Sequence, residues 1–349
     1  MKKIAIYDPY FHILGGAERY IVAIANCFSA KAEVTVFTSD PQLLRQAQVK
    51  FGQATDTIKP VPWPTKRRER AHLLSQFDVL FYVTDGSLFF SSAKKNILIV
   101  QSPSHLPAPT LTTKIKLMNW KKVICYSQFV AGYAQKSLGK KVNTLFVPIE
   151  DKNQSDNPKE NMILSVGRFF TQMHNKKQLE MVHLFSELVR EGLSQTSLTL
   201  VGSIDPGGES YFKEVKRAAK GLPIQLITNA TYEQLQKLYT RAKIYWHGAG
   251  FGENTFEHPE KAEHFGVSTV EAMSYGTVPI VFAAGGQTEI VTNGHDGFTW
   301  KTGQELKKYT SELMSNTLLY KKLSRHAYLT SRNYTQSRFC EQLHEILEK

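Results

Sequence analysis

The stretch Glu263-His264-Phe265-Gly266-Val267-Ser268-Thr269-Val270-Glu271-Ala272-Met273-Ser274-Tyr275-Gly276-Thr277-Val278-Pro279 reads as a loop that feeds a short helix and then a strand. Ser268 and Glu271 have the three-residue spacing of a capping box, and Gly276 is placed to close the helix before the β-rich run Val278–Phe282. A helix opening just after a glycine also offers bare backbone N–H groups to an anion. Two readings of Glu271 stand together. It is a capping carboxylate, or it binds ribose hydroxyls while Glu263 reaches a sugar and the N–H groups of Gly266 and Val267 face phosphate.

Outward from this stretch, short β-rich runs alternate with amphipathic segments. Upstream in the same half the runs are Met162–Val166, Leu198–Val201, Ile224–Ile227 and Ile244–Trp246, separated by segments such as Lys176–Glu191 and Tyr232–Arg241. The first half repeats the pattern with Ile4–Tyr7, Val34–Phe37, Val79–Val83, Ile97–Val100, Val123–Tyr126 and Leu145–Val147. Its clearest helix is Ala17–Phe28, where Tyr20, Ile21, Ile24, Ala25 and Phe28 fall on one face. Alternation of this kind predicts parallel sheets. A chain of 349 residues suits two cores, and the polar stretch Asp151–Asn161 is the candidate linker. The expected architecture is α/β, with one doubly wound Rossmann-like domain over 1–150 and another over 151–325. Within 326–349, Phe339, Leu343, Ile346 and Leu347 share a helix face that is expected to pack back on the first domain. Ligands of open α/β sheets bind outside the carboxyl ends of the strands, so the site is expected in a cleft where two such ends face each other.

Composition limits the function classes. Hydrophobic residues make up 42% and charged residues 21%, ordinary for a globular chain, and no run approaches the ~18 apolar residues of a membrane span. The start, Met1-Lys2-Lys3-Ile4-Ala5-Ile6-Tyr7-Asp8, has too short an apolar run for a signal peptide and reads as a first strand. Cys27, Cys125 and Cys340 lie far apart without metal-ligand spacing and are expected to be free thiols in a reducing compartment. Eleven of the twelve net positive charges fall in residues 1–150, in clusters such as Lys66-Arg67-Arg68-Glu69-Arg70, Lys121-Lys122 and Lys140-Lys141. Such a domain suits an anionic partner such as a membrane surface or lipid phosphate, or simply solubility. No zinc-finger spacing or aromatic RNA-binding signature accompanies the lysines, so nucleic acid is not an expected partner.

Two further stretches bear on the site. Gly15-Gly16, after the first strand, opens the helix that follows and is either a simple tight turn or a place for phosphate to approach backbone; its spacing is neither a dinucleotide fingerprint nor a Walker loop. The run Trp246–Glu260 is rich in glycine and acids and reads as a solvated loop or a lid over a sugar; His247 and His258 match no metal-ligand pattern.

Taken together, these residues resemble the retaining glycosyltransferases of family 4, whose two glutamates stand as Glu263 and Glu271 do here, around a Phe-Gly step and before Glu-Ala-Met. Further matches occur in order: Gly15-Gly16-Ala17-Glu18, Val166-Gly167-Arg168, Lys176, Leu200-Val201-Gly202, and Gly285-Gly286 followed by Glu289-Ile290-Val291. The resemblance covers nearly the whole chain. It implies the GT-B fold, with acceptor recognition mainly in 1–150 and a nucleotide diphosphate sugar, GDP-mannose or a UDP-sugar, held by 151–325. The acceptor would be a glycan or lipid-linked, and the enzyme cytoplasmic, with a peripheral contact to anionic membrane. Arg168 and Lys176 would clamp the diphosphate, with Lys177 the adjacent candidate. Glu271 would hold ribose, Glu263 and His264 the sugar side, and Phe265, Gly266, Val267 and Gly202 the nucleotide, with Asn229 touching the base through backbone. Gly15 and Gly16 would approach the diphosphate from the other domain.

One departure is visible. Family members commonly place a histidine near the donor sugar at the end of a first-domain strand, where this chain has Gln101, with His105 four residues on. An amide donates a hydrogen bond but does not titrate. No Asp-x-Asp ligand motif occurs, and the resemblance implies no metal and no cofactor beyond the nucleotide-sugar co-substrate. The rival readings are a nucleotide-sugar epimerase of the same architecture and a nucleotide-sugar-binding protein without turnover.

Overall fold

A computed structural model describes residues 1–151, 158–171 and 175–348. The chain divides into two compact units, Met1–Pro148 with Gln336–Lys349, and Ile149–Thr335. Residues 326–335 thus group with the second unit, not with the tail. The helix Thr317–Ser331 buries Leu323 and Ala327, and Leu323 belongs to the second unit's core. Part of the candidate linker, 152–157, lies outside the described residues, and its last two residues already belong to a strand.

In the first unit the strands are β1 (Lys2–Tyr7), β2 (Ala32–Phe37), β3 (Ile58–Val61), β4 (Val79–Val83), β5 (Lys95–Val100), β6 (Lys122–Cys125) and β7 (Val142–Thr144). They form one parallel sheet in the order β3-β2-β1-β4-β5-β6-β7. Order reverses between β1 and β4, the switch point of a doubly wound sheet. The central strand β4 is buried along its whole length because helices cover both faces, which is why it reads as a continuous apolar run. Two edge pieces differ from the sequence reading. β3 contains Pro60 and is only four residues long, and the last strand is Val142–Thr144, with Leu145–Val147 following it as buried coil.

Helix Gly16–Phe28 packs behind the sheet, and helix Gln336–Glu348 lies against it. The Tyr20 and Phe339 rings are 5.2 Å apart, Gln336 Nε2 donates to the Ala23 carbonyl at 2.9 Å, and Phe28 meets His344 edge-on. Cys27 and Cys340 form a disulfide between these helices, which corrects the expectation of free thiols for that pair; Cys125 is free and buried. Their separation of 313 residues hid the pairing from any local pattern.

The second unit's strands are β8 (Glu160–Val166), β9 (Ser197–Gly202), β10 (Ile224–Thr228), β11 (Ala242–His247), β12 (Val278–Phe282) and β13 (Phe298–Trp300), parallel in the order β10-β9-β8-β11-β12-β13. Two cores flank the sheet. One gathers Phe169, Phe185, Trp246, Trp300 and Leu306; the other gathers Leu164, Leu238, Tyr239, Tyr245 and Ala272. Among the described residues no helix is long and apolar enough to cross a membrane.

Candidate active site

The sequence-predicted donor residues of the second unit collect at the carboxyl ends of β8, β9, β10 and β11. After β8 the chain turns through Gly167 and Arg168. A Cβ on Gly202, at the end of β9, would stand 2.0 Å from the Gly167 carbonyl oxygen, so glycine here permits two strand ends to touch. Gly202 therefore has a packing reason in addition to any ligand. Gln178 is buried and donates from Nε2 to the carbonyls of Gly167 and Arg168, both at 3.0 Å, fixing that turn.

Lys176 and Lys177 precede the helix Gln178–Arg190, which starts two residues later than the sequence suggests. Lys177 adopts a left-handed backbone with φ of 61°, and the two adjacent ammonium groups diverge. Lys176 Nζ meets Glu263 Oε2, its stem lying over Gly167. Lys177 Nζ lies 2.7 Å from Glu253 Oε1, which also takes Lys261 on its other oxygen at 2.8 Å. Arg168 Nη1 pairs with Asp205 Oδ2 at 2.8 Å. Of the two lysines, Lys176 reaches the carboxylate of the signature stretch and Lys177 reaches Glu253 instead.

Glu263 Oε2 accepts a second contact, from His247 Nε2 at 2.8 Å. His247 ends β11 and is buried; burial depresses its pKa despite the raising influence of Glu263, so the ring is neutral near pH 7 and Nε2–H donates to the carboxylate. The sequence reading set His247 in a solvated loop or lid. Instead Trp246 and His247 are core residues, with Trp246 Nε1 bonded to Thr310 Oγ1 at 3.0 Å and Trp300 Nε1 to the His247 carbonyl at 3.2 Å. The signal available was the β-rich run leading directly into it.

The backbone of Glu263 is held from the far side by the second diglycine. Gly285 has φ of 62°, a Cβ there would stand 2.1 Å from the Glu263 carbonyl oxygen, and Gly286 N–H donates to that oxygen at 2.8 Å. His264 and Phe265 are buried, and Phe265 packs on Tyr334 at 5.8 Å between centroids.

The capping box at Ser268 and Glu271 does not form. The helix runs Val267–Ser274 and its N-cap is Gly266 at φ of 119°, a conformation that favours glycine. Ser268 is the second residue of the helix, bonded to the Tyr245 hydroxyl at 2.6 Å, and Glu271 accepts from the Tyr239 hydroxyl at 3.0 Å. Gly276 closes the helix at φ of 69°. Asn229 follows β10 with φ of 55° and gives its N–H to the Gly202 carbonyl at 3.3 Å.

In the first unit, Gly15 is the N-cap of helix Gly16–Phe28, but its N–H is engaged by the Glu18 carboxylate; space beside Gly16 is open. Gln101 follows β5 and is buried, and His105 lies close by, its Nδ1 without a hydrogen-bond partner and its pKa depressed by burial. No group of three or more His, Cys, Asp or Glu side chains is placed to hold a metal ion among the described residues.

A doubly wound parallel sheet with Lys176 and Glu263 paired beyond the carboxyl ends of its strands is the arrangement of an open α/β ligand-binding unit. Residues 147–330 match the family described as Glycosyl transferases group 1, and the chain belongs to that family. A Dictyostelium discoideum relative named GDP-Man:Man(3)GlcNAc(2)-PP-Dol alpha-1,2-mannosyltransferase is 26% identical over 239 residues, 64% of this chain and 42% of the relative. The Xenopus laevis protein of the same name is 26% identical over 140 residues, 39% of this chain and 26% of that protein. This chain therefore aligns with less than half the length of these relatives. Among solved structures, Anabaena HepE in complex with UDP and glucose superposes over all of both chains with a TM-score of 0.72 at 16% identity. A glycosyltransferase from Rickettsia africae gives 0.75 at 15% identity over 99% of this chain and 97% of its own. These likenesses show the fold: both parallel-sheet units are those of GT-B proteins.

Proposed function

We propose that the chain transfers a sugar from a nucleotide diphosphate sugar to a glycan or lipid-linked acceptor, with retention of anomeric configuration and without a metal ion. The observation that carries this is the pairing of Lys176 with Glu263 beyond the carboxyl ends of β8 and β11, with Arg168 in the turn after β8 and Glu271 in the helix that Gly266 opens. As the bond from the anomeric carbon to the diphosphate breaks, negative charge grows on the leaving oxygen. Arg168 and Lys176 stabilise it by exchanging Asp205 and Glu263 for phosphate. Glu263, oriented by His247, is then available to sugar hydroxyls, and Glu271, held by Tyr239, to the ribose. The acceptor oxygen forms the new glycosidic bond and its proton leaves with the departing phosphate. GDP-mannose is favoured as donor by the printed names of both relatives, which also favour a lipid-linked acceptor. The basic charge of residues 1–150 supports a peripheral contact with anionic membrane.

The test is a thermal-shift screen against GDP, UDP, ADP, TDP and their sugars in EDTA, repeated on Arg168→Ala and Glu271→Ala. A nucleotide that stabilises the wild type and neither variant is the expected result. No response to any nucleotide at millimolar concentration sinks the reading, a dependence on added divalent metal removes its metal-independent part, and donor isomerisation without transfer replaces it with the epimerase.

A further inference from the structure

Between Asp85 and Glu150 the sequence has nine lysines and no aspartate or glutamate. The fold gathers most of them around one short helix of the first unit, Leu111–Leu117, which is anchored by Leu117, a core residue only 4% exposed. Leu111, Ile115 and Met118 are instead 75%, 49% and 72% exposed. Spaced four and three residues apart, they share an arc of about 60° on the helix surface. Hydrogen bonds at the end of this helix place further groups beside it. Lys140 Nζ donates to the Leu117 and Trp120 carbonyls at 2.6 and 2.7 Å, and Lys121 N–H donates to the Asn96 carbonyl at 2.9 Å. These bonds bring Lys140-Lys141 and Lys94-Lys95 next to Lys121-Lys122, at the amino ends of the neighbouring strands β7, β5 and β6. Ser91 N–H donates to Asn119 Oδ1 at 2.8 Å, which sets Phe90, 49% exposed, against the segment that follows Met118.

Single exposed apolar side chains are ordinary on a protein surface, but a stripe of them on one helix, bordered by cations, marks an interaction surface. Lys95, Lys114, Lys121 and Lys141 are exposed, and of the lysines in this stretch only Lys94 pairs with a carboxylate among the described residues, Asp78 at 2.8 Å. Such a surface needs anions and hydrocarbon side by side. A bilayer of anionic lipid supplies both, with phosphates at its surface and acyl chains about 5–10 Å below. Nucleic acid supplies the charge without the hydrocarbon, and a second copy of this chain would bring the same lysines against one another. We propose that helix Leu111–Leu117 is the element through which this chain rests on an anionic bilayer. Leu111, Ile115 and Met118 enter the acyl boundary, and Lys114, Lys121 and Lys141 meet lipid phosphates on long flexible stems. This anchor rests on the peripheral membrane contact proposed above, to which it gives a location.

The test is sedimentation of the purified full-length protein with vesicles of phosphatidylcholine alone and of phosphatidylcholine mixed equally with phosphatidylglycerol. Wild type is compared with the double variants Leu111→Ser, Met118→Ser and Lys114→Gln, Lys121→Gln. Val49→Ser is the control, a 79% exposed apolar residue elsewhere on the same unit. All these side chains are exposed, so every variant should melt with the wild type. Wild type is expected to sediment with anionic vesicles at low salt and not with neutral ones. The serine pair should lower the partition coefficient by about tenfold or more, the glutamine pair by roughly tenfold to thirtyfold, and Val49→Ser should leave it unchanged. If the serine pair sediments as wild type does, the contact is one of charge alone and the helix is not its anchor. Light scattering without lipid is the second arm: a wild-type dimer that the serine pair dissolves would mean that a second copy covers the stripe, and would overturn the proposal. Wild type that ignores anionic vesicles at low salt would instead remove the parent reading of a membrane contact, and the anchor with it.

Discussion

His247 Nε2 lies 2.8 Å from the same Glu263 oxygen that receives Lys176 Nζ, so one carboxylate is gripped from β11 and from the segment ahead of the first helix of its unit. A buried neutral imidazole on one side and an ammonium on the other leave Glu263 little rotational freedom. His247→Ala removes a donor to a charged group, a loss of about 1.5–3 kcal/mol. If Glu263 orients the sugar, kcat/KM should fall by roughly tenfold to a hundredfold with nucleotide affinity changed by less than about threefold. Steady-state kinetics with calorimetric nucleotide titration checks this; an equal loss of nucleotide affinity would place His247 in the nucleotide pocket instead.

Neighbouring lysines should behave differently. Arg168→Ala and Lys176→Ala are each expected to weaken nucleotide binding roughly tenfold to a hundredfold, the worth of a charge-assisted hydrogen bond. Lys177 is spent on Glu253 and Glu180, so Lys177→Ala should lower the melting temperature while leaving nucleotide affinity close to wild type. Titration of all three variants with GDP and UDP decides it.

Glu271 accepts from Tyr239 and, in the proposed role, touches the sugar common to all ribonucleotides. Glu271→Ala should therefore weaken GDP and UDP by the same factor, about tenfold. A loss confined to one base would reassign Glu271.

Gly202→Ala puts a Cβ against the Gly167 carbonyl, where only backbone can move. Overpacking of this kind costs about 1–3 kcal/mol, which should appear as a fall of several degrees in the melting temperature without ligand. An unchanged melt would show that the two strand ends separate easily.

Asp8 makes stability depend on pH. Its folded pKa is raised from 3.8 to about 8, so the folded state binds the proton more tightly. That contribution is complete below the unfolded value and is lost as pH climbs from about 4 through about 8, in total on the order of 5 kcal/mol. Asp8→Asn should melt above wild type by a margin that grows across this interval. A constant margin from pH 5 to 9 would mean the carboxyl is ionised throughout.

Much of the fold was legible because its signals are local. The apolar runs of β4 and β12, the helix face of residues 17–28 and the helix Tyr232–Arg241 follow from periodicity within a dozen residues. The short edge strands β3 and β7 escaped because a sheet edge buries too little to leave a pattern. In the second unit, Arg168, Lys176, Glu263 and Glu271 were named from a motif resemblance, and the structure pairs them with Asp205, with one another in the case of Lys176 and Glu263, and with Tyr239.

What the sequence by itself determined is the alternation of strand and helix, the glycines at φ values that favour them, and the residue types proposed to meet a phosphate and a sugar. Only the tertiary structure decided which lysine reaches Glu263, that His247 is a buried partner and not part of a lid, that Gly266 rather than Ser268 caps the signature helix, and that Cys27 finds Cys340. The physical reason is range. Propensity and capping are set by neighbours along the chain, whereas ion pairs, disulfides and buried hydrogen bonds join residues that meet only once the sheets have assembled.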